Sequence, residues 1–153
     1  MTTYGWLYPW LRTLHLICAV LWVGGMFFAF VILRPSMAII EAPQRMLLHT
    51  QVLRRFFLVI WHAMPLLILS GFAMLFGFMN GLQGAPWQIH VMLGLGLLMA
   101  AVFLAIVLGP YRQFQRTTDR TRMARSLDTI RKLIGLNLAF GIVTIIVGGL
   151  FSP

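Results

Sequence analysis

Four stretches of this chain run for about twenty residues each without one Asp, Glu, Lys or Arg: residues 13–33, 56–79, 88–109 and 133–151. At about 1.5 Å of rise per residue, a helix of that length crosses the roughly 30 Å hydrocarbon core of a bilayer. In hydrocarbon every backbone amide must find its partner inside the protein, so uncharged runs of this length are expected as transmembrane helices. A 60 % hydrophobic, 10 % charged composition and a mean hydropathy of +0.89 agree. The predicted fold is all-α: a polytopic, single-domain, four-transmembrane-helix bundle. The first run is expected to be retained, because no basic segment precedes it, no small-residue cleavage site follows it and further apolar runs come later.

Between the runs lie the connections. Tyr4, Trp6, Tyr8 and Trp10 precede the first span and suit the headgroup level. Residues 35–55 are expected to include a short amphipathic helix on the membrane surface. Asn80 to Pro86 forms an uncharged turn, Tyr111 to Lys132 a basic and partly helical connection, and His62 with Pro65 a kinked helix and its hydrogen bonds. Eleven of the twelve Lys and Arg residues fall in the connections after spans one and three. The positive-inside rule then puts both connections in the cytoplasm and both termini on the outer side of the membrane. These basic residues stand beside spans and match no nucleic-acid-binding motif, so topology and phospholipid contact account for them, and nucleic acid is not expected as a partner.

Orientation sets depth. His15 on span one and His90 on span three both lie about one turn inside the outer face, whereas His62 lies toward the cytoplasm and His49 in a cytoplasmic connection. An ionisable side chain within a span needs a partner or a ligand. His15, Cys18, Trp22 and Met26 form one stripe at helical spacing; Gly94, Leu98, Ala101 and Ala105 continue the stripe from His90; and Asn137, Gly141, Thr144 and Gly148 form the polar, small face of span four. One cysteine, Cys18, excludes an intrachain disulfide and any Cys-rich metal cage.

The segments LHLICAVLWVGGMFFAFVILRP (Leu14 to Pro35), WQIHVMLGLGLL (Trp87 to Leu98) and RKLIGLNLAFGIVTIIVGG (Arg131 to Gly149) resemble the CopD family of small bacterial inner-membrane proteins, named for copper resistance. The first-span pattern is also similar to that of the related HemJ-type protoporphyrinogen oxidases, which carry haem b. In that group the third span opens with His, one residue and Lys. Here His90 is followed by Val91 and Met92, and the missing lysine counts against that activity.

Two ligand chemistries fit the histidine pair. In the first, His15 and His90 ligate the iron of a non-covalent haem b, with Arg12 beside the propionates and Trp22, Gly94 and Met26 as apolar walls, for electron transfer, redox chemistry or haem handling. In the second, Cu(I) uses the soft ligands Cys18, Met26 and Met92 with His15 and His90. A redox partner, a larger membrane complex or a homodimer is compatible with either. The alternative to both is structural: a membrane histidine bonded to a carbonyl or hydroxyl of a neighbouring helix.

Overall fold

The computed structural model describes residues 5–150, so Tyr4 of the aromatic anchor and Phe151 at the end of the fourth run lie outside the described residues. No strand occurs among the described residues. Four helices are long and apolar enough to cross a membrane: α1 (Leu7–Ile39), α2 (Ala42–Phe78), α3 (Trp87–Arg116) and α4 (Arg120–Leu150). This is a multi-pass, all-α membrane protein.

Each helix runs past the charges that bound its apolar run. In α1 the regular helix Leu7–Phe27 widens into a π-helical segment, Phe28–Leu33, and continues through Pro35 to a 3-10 turn at Met37–Ile39. In α3 a second π segment, Val107–Tyr111, holds Pro110. Proline has no N–H and crowds the carbonyl four residues back; a local widening of the helix accommodates it without ending the helix.

The expected surface helix is no separate element. Residues 42–55 are the first turns of α2, which starts with Pro43 in its first turn and continues unbroken past Pro65 for 37 residues. The reason is periodic. Met46, Leu53, Phe57, Ile60 and Met64 fall on one helical stripe, the last four of them buried. The same face is therefore packed on both sides of the Arg54–Arg55 pair, while the two arginines point outward. α4 likewise starts within the basic connection, where the Asp119 carboxylate accepts the Thr121 N–H at 3.0 Å. Asn80 (φ 54°) and Gly81 (φ 73°) turn the chain sharply after α2; the left-handed region suits these two residue types.

Consecutive helices are antiparallel. α1 packs chiefly on α2 and α3 chiefly on α4, with slighter contact between α1 and α4 and between α2 and α3, so α1 and α3 stand on a diagonal. They meet across it through Trp22 and Phe103, edge to face at 6.2 Å. Phe57 joins them at 5.8 Å from Phe103 and lies 4.6 Å from Tyr111. Around these rings lie Met26, Ile60, Ile106, Ile130, Ile134 and Leu138. The outward faces are apolar too: Val20, Leu69 and Phe76 are each more than 60 % exposed. In water such a surface would aggregate; in a bilayer it faces its solvent.

Candidate functional site

His15 is the histidine that the fold ties to another helix. Its Nδ1 lies 2.9 Å from the Leu67 carbonyl oxygen and 3.1 Å from Ser70 Oγ on α2, and Ser70 Oγ–H donates to the same carbonyl at 3.0 Å. A carbonyl only accepts. Nδ1 therefore carries the proton, and the Nε2 lone pair is left for another partner. Gly71 makes room for the ring: a Cβ there would stand 3.2 Å from His15 Cε1. Sequence reasoning missed Leu67, Ser70 and Gly71. The signal was a polar and a small residue side by side on span two at the depth of His15.

Below His15 the stripe turns into the core. Cys18, Trp22 and Met26 are 3 %, 2 % and 1 % exposed. Two sulfur atoms and an imidazole thus share one face of α1, and that face is packed.

The other expected site residues lie elsewhere. His90 is exposed on α3, and its Nδ1–H donates at 3.1 Å to the Pro86 carbonyl of its own helix start. His62 does the same with the Leu58 carbonyl at 2.8 Å. Arg12 and Gly94 are exposed. Met92 rests against α4, its Cε 3.0 Å from where a Gly148 Cβ would stand. Trp22 is buried in the interior against Phe103. His15 is thus bonded across to α2, whereas His90 is bonded at the start of its own helix, so the matched depth of the two histidines is not accompanied by a shared hydrogen-bond partner. The bis-histidine haem site has no support in this geometry. Among the described residues no group of three His, Cys, Asp or Glu side chains is arranged to hold a metal ion.

A second polar feature lies in the interior. Asn137 is 1 % exposed; its Nδ2 donates to the Met99 carbonyl at 3.3 Å, and its Oδ1 has no partner among the described residues. The bond fixes the register of α4 on α3. Beside it, Gly141 admits Val23 of α1, whose Cγ2 would stand 2.8 Å from a Cβ at that position.

Comparison with curated proteins and with solved structures finds no match. The family model described as copper resistance protein D, CopD, matches residues 50–151, which take in α2 after its first eight residues together with α3 and α4. His15, Cys18 and Met26 lie before the matched segment. With well over half of its length matched, the chain belongs to the CopD family of copper resistance protein D.

Proposed function

We propose that this protein binds copper(I) as cargo at the membrane face opposite its basic residues, with His15 Nε2 as the first ligand and the Cys18 thiolate and Met26 thioether as softer donors deeper along α1. The observation that carries the reading is the His15 Nδ1–H bond to the Leu67 carbonyl. Metal-binding histidines are usually held this way, the second ring nitrogen bonded to a carbonyl so that the first stays unprotonated and aimed. Cu(I) favours imidazole with thiolate and thioether, the donors on this stripe. Membership in a family named for copper resistance supports the same cargo.

The orientation belongs to this reading. Eleven basic residues in two connections against Arg12 alone at the other face support a cytoplasmic side for those connections, and family membership supports a bacterial inner membrane with the His15 end toward the periplasm.

The test is a Cu(I) titration of the purified full-length protein in detergent, under reducing conditions and in competition with a chromogenic Cu(I) chelator. Loss of a ligand or of its orienting partner lowers metal affinity by about 10–100-fold. That loss is expected for His15→Ala and a smaller one for Cys18→Ser, with His62→Ala unchanged. Wild-type affinity in the His15→Ala protein overturns the proposal. A Soret band in the protein as purified, lost in His15→Ala, would hand the same nitrogen to haem b.

A further inference from the structure

The basic end of the molecule holds a cleft built from three helices. Ala29, Phe30, Leu33 and Arg34 of α1, His49, Val52 and Leu53 of α2, and Leu127, Ile130, Arg131 and Ile134 of α4 line it, with about 50 Å³ open to a water-sized sphere. A single water needs about 10–15 Å³ on that measure, so one phosphate group fits. The floor is apolar and the rim is basic.

Helix register puts the two arginines there. α1 and α4 are antiparallel, and Gly135 receives the Phe30 ring so closely that a Cβ would stand 2.9 Å from Phe30 Cε2. One turn toward the basic end from each of these residues come Arg34 and Arg131, facing into one cleft. Like charges brought together at the edge of a hydrocarbon phase repel each other. Few acids relieve them: Asp128 approaches Arg131 Nη1 only to 4.0 Å and is paired with Lys132 Nζ at 2.8 Å, half exposed to solvent. Arg45, nearby, spends one nitrogen on the Ile40 carbonyl at 2.8 Å, and its buried Nε has no partner among the described residues. Burial first, then the charges of Arg131 and Arg45, hold His49 below the ordinary imidazole value; His49 precedes the apolar run. An excess of clustered positive charge with unspent donors wants an anion.

We propose that this cleft binds a phosphate group through Arg34 and Arg131, with His49 as a third donor, and that its occupant is the headgroup of an anionic phospholipid whose acyl chain lies against Phe30, Leu33 and Ile134. Guanidinium forks match phosphate oxygens two at a time, and basic pockets between spans on the side carrying the positive charge suit such headgroups. A free phosphate ion shares the chemistry but has no use for the apolar floor.

The experiment follows thermal unfolding of the full-length protein in neutral detergent by its tryptophan fluorescence, adding dioleoylphosphatidylglycerol, dioleoylphosphatidylcholine or inorganic phosphate. Phosphatidylglycerol is expected to raise the midpoint where phosphatidylcholine does not. Each arginine near the surface contributes about 1 kcal/mol, so Arg34→Gln and Arg131→Gln should each weaken the half-saturating concentration roughly fivefold. Arg120→Gln, at the exposed start of α4, should leave it unchanged. Without lipid each cleft variant should unfold near the wild-type midpoint, since the repulsion it removes is set against the Arg34–Phe30 ring contact at 5.8 Å or the Arg131–Asp128 approach at 4.0 Å; if one is less stable, Arg34→Lys and Arg131→Lys keep the charge and should bind with intermediate affinity. A shift produced by phosphate alone and lost in Arg34→Gln supports the phosphate site and names the free ion as occupant. The proposal is overturned if phosphatidylglycerol and phosphatidylcholine act alike and phosphate does nothing, or if the shift survives both Gln substitutions.

Discussion

The two halves of the molecule along the membrane normal are packed differently. Toward the basic end all four helices contribute buried residues, among them Trp22, Phe57, Phe103 and Ile130. Toward the His15 end no residue between 87 and 98 on α3, and none between 142 and 150 on α4, is buried. There the α1–α2 pair is joined by the hydrogen bond from the His15 imidazole and by an edge-to-face contact of Tyr8 with Phe78 at 5.2 Å, while α3 and α4 bury nothing. In lipid, helices associate through close packing and polar links, with no hydrophobic drive to gather them. The contrast teaches that the four helices fill a common interior chiefly beside the charges, whereas at the His15 end only the α1–α2 pair stays closely packed and α3 and α4 leave their faces uncovered.

The largest expected effect that tests this contrast is at the tight end. Gly135→Ala forces Phe30 out of its seat and should lower unfolding stability in detergent by about 1–3 kcal/mol, the usual range for overpacking, whereas the matched change Gly71→Ala only nudges the His15 ring and should cost clearly less. Equal losses would mean that the halves are packed alike. Next comes the polar link: His15→Ala should cost about 1 kcal/mol, the scale of interhelical hydrogen bonds in membranes, and His90→Ala, bonded only within its own helix, close to nothing. A smaller change is expected for Asn137→Leu, which gives up one bond to Met99 but also removes a buried oxygen that lacks a partner; the two should cancel to within about 1 kcal/mol, read by the same unfolding assay.

The smallest effect is one of pH. The folded state lowers the His49 pKa, so protonation favours the unfolded chain: stability is full above the ordinary value of about 6.5 and falls as pH drops through the lower folded value. The unfolding midpoint should therefore decline less between about pH 7.5 and 5 in His49→Gln than in the wild type. An identical decline would remove His49 from the field of Arg131 and Arg45.

Much of the fold was legible because hydrocarbon imposes a simple rule on composition. Apart from Met79, which follows the end of α2, the described residues of the four uncharged runs lie within α1 to α4. Helix ends were less legible, since hydropathy marks where charge begins and not where packing ends; the stripe from Met46 to Met64 shows helix and burial continuing across Arg54 and Arg55. The direction a residue faces was the hardest to read. His15 and His90 were paired by depth, yet one turns to Leu67 and the other outward, and only the packing of whole helix faces decides that. The structural alternative weighed for a membrane histidine, a bond to a carbonyl and a hydroxyl of the next helix, is what His15 displays.

At about 1.5 Å per residue the unbroken α2 is about 55 Å long, against a bilayer core of roughly 30 Å. A bilayer that thickens or thins is met by a change of helix tilt, at a modest cost per ångström of mismatch. Since α2 has no break between its apolar run and His49, a tilt imposed on residues 56–78 is carried as by a lever to the wall of the basic cleft. His49, Val52 and Leu53, the residues of α2 that line the basic cleft, thus stand on the same continuous helix as the apolar run, with no hinge between them.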